Sequence, residues 1–95
     1  MFIAMKRFTI LAGKEKEFEE VWKSRETYLN DVEGFKEFHL LKGEGGIYIS
    51  HSTWESREAF VRWTESEAFR KAHAQGGSKG LIAGPPQFSG YELVL

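Results

Sequence analysis

The period at which apolar residues recur switches repeatedly along this chain, and that switching leaves few folds open. In FIAMKRFTI, residues 2–10, the period is two. Phe2, Ala4, Lys6, Phe8 and Ile10 share one face, while Ile3, Met5, Arg7 and Thr9 share the other, as in a half-buried strand. Lys6 is the misfit on the more apolar face. From Lys14 to Asn30 the spacing changes to three and four residues, through Phe18, Val21, Trp22, Arg25 and Leu29. That spacing predicts an amphipathic helix, with Gly13 at its N-cap. FKEFHLLK and IYISHSTW return to strand, joined by the hairpin turn GEGG. Ser56 is placed to cap the helix REAFVRW. Ser66 offers a second cap before EAFRKAHAQ, so this helical region is expected to bend or break between Thr64 and Glu67. Gly76 and Gly77 stop it. A flexible connection leads to Pro85 and Pro86, and FSGYELVL closes the chain as a fourth strand.

The resulting order is β-α-β-β-α-β, an α+β ferredoxin-like arrangement with both helices on one face of an antiparallel sheet. No low-complexity tract or linker interrupts it, so residues 1–95 read as one domain. A domain this small buries a limited share of its surface. The third strand has bulky residues on both faces, Ile47 and Ile49 against Tyr48 and Trp54. The sheet face away from the helices is therefore expected to be covered too, most simply by a second copy.

A formal net charge of −1 with interspersed acids and bases lacks the basic stripe of a nucleic-acid binder. No apolar run has the length of a membrane span, and the start goes directly into a strand pattern without a signal-peptide layout. The absence of cysteine excludes disulfides, thiolate metal sites and cysteine nucleophiles, and fits a cytoplasmic protein.

Few residues remain for chemistry. There is no P-loop, no GxGxxG after a strand and no GxSxG elbow; no helix with a good N-terminus follows GGSKG, which reads as a mobile loop. The helical acids alternate with Lys and Arg as on a solvated face. Of the three histidines, His39 and His51 fall in strands and read as packed structural residues, without a zinc-like spacing to another ligand. His73 lies four residues after Phe69. By position it suits a core residue, a partner for the helix C-terminal dipole, or an axial ligand to porphyrin iron. Trp63, with Ala59 and Phe60, suits the core equally well. On a straight helix Trp63 and His73 would point about 80° apart; the expected break near Thr64 relaxes that angle and lets both face one pocket.

The segments FIAMKRF, VEGFKEFHLLKG, YISHSTWES and AFVRWTESEAFRKAH together resemble the bacterial heme-degrading monooxygenases of the antibiotic biosynthesis monooxygenase superfamily. The resemblance runs from Phe2 to the last strand and implies a dimeric α+β barrel. It implies that His73 is the proximal ligand to heme iron and that Trp63 presses on the porphyrin, ruffling it so that a meso carbon is oxidised. Heme would be both substrate and cofactor, with dioxygen and an external electron donor as co-reactants, and iron and an opened tetrapyrrole as products. Trp22 and Arg25 match positions that line the pocket and meet the heme propionates. The family's third active-site residue is an asparagine on the first strand, and Lys6 stands in its place. Protonated lysine only donates hydrogen bonds where asparagine also accepts, so Lys6 would donate to dioxygen, pair with a propionate, or obstruct the pocket. Two alternatives accompany the resemblance: a non-catalytic heme-binding dimer, and a cofactor-free monooxygenase of the same superfamily acting on a phenol or quinol.

Overall fold

The computed structural model describes residues 1–24, 29–74 and 80–95, apart from the side chains of 72–74. The elements run β1 (Phe2–Thr9), α1 (Glu15–Ser24), a short 3-10 turn (Leu29–Asp31), β2 (Phe35–Lys42), β3 (Ile47–Trp54), α2 (Arg57–Thr64), α3 (Glu67–Ala74) and β4 (Gln87–Glu92). The four strands pair antiparallel in the order β2-β3-β1-β4. This is the ferredoxin-like arrangement expected from the periodicity.

Local chemistry sets the element ends. At α2, Ser56 is extended and its side chain accepts a hydrogen bond from the Ala59 amide at 3.1 Å, satisfying a helix donor that has no partner within the helix. Ser66 repeats the device, accepting from the Phe69 amide at 3.2 Å. The expected break therefore separates α2 from α3. Gly13 lies one residue before the cap of α1 rather than at it: the Lys14 carbonyl accepts the first helical hydrogen bond, from Phe18 at 3.0 Å, and Gly13 supplies the left-handed turn (φ +82°) leading in. In the β2–β3 hairpin Gly46 has φ +79°, and a Cβ there would come within 2.9 Å of the Ile10 carbonyl oxygen. Only glycine meets both demands.

The stretch before the prolines departs from expectation. Leu81–Ala83 is not a free connection: Leu11 donates to the Leu81 carbonyl and Ala83 to the Thr9 carbonyl, at 2.8 and 2.7 Å, and Leu81 is buried. The helix stop assigned to Gly76 and Gly77 lies outside the described residues.

The core falls into two clusters on the helix side of the sheet. One gathers Phe2, Ala4, Leu29, Trp54 and Ala59, with Phe60 and Trp63 of α2 packed on it. The other gathers Phe8, Ile10, Phe18, Tyr48 and Leu81, with Val21 and Trp22 of α1. Each helix thus sits over one end of the strands.

Candidate functional site

The strand register shows what lies between those two ends. Side chains alternate across a strand, so the helix-facing surface is a stack of rows. Phe2, Trp54 and Phe35 form one end row, and Phe8, Tyr48 and Lys42 the other. Between them run Ala4 beside Ser52 and Lys6 beside Ser50, with Gly90 and Phe88 of β4 completing these rows on the far side of β1. The two central strands therefore carry small or polar groups at mid-sheet and aromatic groups at both ends.

The polar groups of that strip are held in place. Ser52 is buried; its hydroxyl accepts from the Trp54 indole nitrogen at 2.9 Å and donates to the Ala4 carbonyl at 3.5 Å. Lys6 is half-buried on the helix side, in register with Ser50 on one neighbour and Phe88 on the other. A primary ammonium so placed is costly unless anionic or polar groups meet it.

Indole rings form the flanks. Trp63, in the last turn of α2, contacts Trp54 at a centroid distance of 5.4 Å and receives Phe69 of α3 edge-on at 4.8 Å and 86°. Its orientation is fixed from two elements at once. Trp22 of α1 stacks on Phe38 of β2 at 5.6 Å and 20°, and meets Phe8 and Phe18 edge-on. Of the residues expected at the site, Lys6, Trp22 and Trp63 are thus brought to the helix side of one sheet. His73 follows Phe69 by one helical turn in α3, and its side chain lies outside the described residues, as does Arg25. His39 and His51 are not packed among apolar neighbours as expected: they sit on the opposite face of the sheet, the first exposed and the second half-exposed.

Sequence reasoning missed Ser50, Ser52 and the covered position of Trp54. The signal was available in IYISHSTW, where serines alternate in step with Tyr48 and Trp54. It also missed a clamp at the far end of the sheet. The Tyr48 hydroxyl donates to Glu19 at 2.5 Å, and Lys42 pairs with the same carboxylate at 3.1 Å. These bonds hold the Glu19 pKa below its ordinary value, the tyrosine donor contributing most. Lys42 is raised by its bond to Glu19; Tyr48 is raised first by burial and then by Glu19. A shallow groove of about 320 Å³ runs along Leu29, Asn30 and Phe35 to His39, and Lys6, Trp22 and Trp63 do not line it. Among the described residues no group of three His, Cys, Asp or Glu is placed to hold a metal ion.

The sequence matches the model of the antibiotic biosynthesis monooxygenase family over residues 1–75. The chain belongs to that family. Among solved structures, this family member is similar to the heme-degrader MhuD from Mycobacterium tuberculosis with two hemes bound in its active site. The two are 28% identical with a TM-score of 0.82, and the match covers 100% of this chain and 97% of that one. It is also similar to SnoaB, a cofactor-independent oxygenase from Streptomyces nogalater, at 20% identity and a TM-score of 0.74, covering 99% and 93% of the two chains. At that identity the second likeness concerns the fold alone. No curated protein gives a significant sequence match. No helix among the described residues is long and apolar enough to cross a membrane.

Proposed function

We propose that this family member is a heme-degrading monooxygenase. The observation that carries the proposal is the strip of small and polar residues at mid-sheet, Ala4, Ser52, Lys6 and Ser50, flanked by the indoles of Trp22 and Trp63. Indole rings would give a flat macrocycle apolar walls, and a lysine would offer a counter-charge to its carboxylates. These groups fit a porphyrin. The likeness to a heme-bound heme degrader over the full chain supports the same ligand.

In this reading the His73 imidazole ligates the iron. Trp63, braced by Trp54 behind and Phe69 at its edge, presses on the porphyrin plane without yielding. Lys6 and Arg25 meet the propionates, the guanidinium through charge-assisted hydrogen bonds. Bound heme would supply both the oxygen-activating iron and the carbon that is oxidised, with dioxygen and an external electron donor as co-reactants, and iron as a released product. Two copies would join through the outer sheet faces into a barrel, in the cytoplasm. His73→Ala is expected to abolish the Soret band that hemin develops with the protein; an unchanged band would exclude His73 as the ligand.

Lys6 supports a second reading, since it stands where the resemblance calls for asparagine. In that reading the chain binds heme without opening it. Bound heme would then survive ascorbate in air, and Lys6→Asn would restore its loss. A Lys6→Asn protein as inert as the parent would remove Lys6 as the cause.

A further inference from the structure

The clamp at the end of the sheet touches the same helix that carries one wall of the ligand site. We propose, and this rests on the heme reading of the site, that Glu19 is a positioning residue for it. Held by Tyr48 and Lys42, the Glu19 carboxylate fixes the seat of α1 on the sheet, and with it the placement of the Trp22 indole against the ligand.

The clamp is built to fix a position. The Tyr48 hydroxyl donates to Glu19 Oε2 at 2.5 Å, and the Lys42 ammonium pairs with the same oxygen at 3.1 Å. One atom of α1 is thus held from two strands. Those strands are neighbours, and Lys42 and Tyr48 are direct partners in their register, so the ladder sets the spacing of the two donors. Their contributions differ. Lys42 is exposed, and water screens an exposed ion pair. Tyr48 has a buried ring, and a hydroxyl on such a ring needs a partner. Its bond to a carboxylate belongs to the stronger class of hydrogen bonds and supplies the direction.

From the clamp to the indole is a short path. Trp22 follows Glu19 by three residues in α1, so the two side chains lie on one side of the helix. The Phe18 ring contacts Tyr48 at a centroid distance of 5.0 Å and Trp22 at 6.2 Å. Clamp and indole therefore share a buried neighbour. Trp22 also packs on Phe8 and stacks on Phe38. Apolar contacts of this kind are non-directional; they hold the helix down but resist its roll only through shape. A hydrogen bond has a preferred angle as well as a length. Other polar side chains of α1 bond along the helix, Lys23 to Glu20 and Ser24 to the Glu20 and Val21 carbonyls. Glu19 crosses to the strands instead. It therefore sets the roll of α1, and the roll sets where the indole stands.

The test pairs nuclear magnetic resonance of the ligand-free protein with a hemin titration. Glu19→Ala is expected to move the Trp22 indole N–H resonance. Tyr48→Phe keeps the buried ring and should move it too. Glu19→Gln keeps an acceptor oxygen for Tyr48 and should leave the resonance near its wild-type position. In the titration Glu19→Ala should weaken hemin binding by roughly two- to tenfold, the worth of one aromatic contact. In a Trp22→Ala background the same change should cost nothing further, because Glu19 acts through the indole. Should Glu19→Ala fail to fold, Tyr48→Phe is read in its place. An unmoved Trp22 resonance, or hemin losses from Glu19→Ala and Trp22→Ala that add in full, would overturn the proposal. A wild-type protein that develops no Soret band would overturn the heme reading instead, and the Trp22 resonance would then decide the positioning role by itself.

Discussion

Lys6 is the residue on which the proposed chemistry turns. Its oddity is legible in the sequence, because alternation assigns it to a face otherwise made of Phe2, Ala4, Phe8 and Ile10. The structure places it on that face, half-buried between two aromatic clusters. If its ammonium meets a propionate, Lys6→Ala is expected to weaken hemin binding by about 1.5–3 kcal/mol, the worth of a hydrogen bond to a charged group. Absorbance titration would show it, and unchanged affinity would place Lys6 away from the propionates. Trp54 illustrates what alternation alone does not reveal. The period gives its face, but not that Phe35, Phe60 and Trp63 converge on its ring, since those contacts join different elements. Fully covered, Trp54 is expected to cost about 3–5 kcal/mol when replaced by alanine, measured by urea denaturation; a loss under 1 kcal/mol would contradict the packing.

Elements were legible where local chemistry decides them. β2 and β3 run over the residues expected, and both serine caps are present. Ser56→Ala should cost about 1 kcal/mol, because it leaves a helix amide without its acceptor. Thermal melting checks this, and a neutral result would mean that water replaces the hydroxyl at no cost. Pairing between distant segments was less legible. Leu81–Ala83 lies between glycine and proline, which suggested a loose connection, yet its backbone is bonded to the end of β1. The Glu19–Tyr48–Lys42 clamp was invisible for the same reason, since α1, β2 and β3 meet only in the fold. Its pH dependence has a definite sign. Glu19 is lowered from 4.5, so its contribution is present above that value and is lost as pH falls through the lower, folded pKa. Lys42 is raised from 10.5, so its contribution is present below that value and is lost as pH rises through the higher, folded pKa. Urea midpoints measured against pH should fall on the acid side, and Glu19→Gln should flatten that limb; an unaltered limb would assign the acid loss to other carboxylates.

On the scale of the whole molecule, the open question is what covers the outer sheet face. Ile3, Met5, Ile47 and Ile49 lie on it half-buried, Leu41 and Tyr91 lie on it exposed, and Leu93 beyond β4 is exposed as well. Such a surface is more apolar than a monomer ordinarily leaves in water. A homodimer is expected by analytical ultracentrifugation, with Ile49→Lys shifting it to monomer; a wild-type monomer would contradict the barrel.

The central claim concerns heme, and one measurement meets it directly. Hemin is titrated into the purified protein, and ascorbate is then added in air. A saturable Soret band that is stable until the reductant arrives and then decays with release of iron is the result predicted for a heme-degrading enzyme. A band that persists through ascorbate, or no band at all, would contradict it.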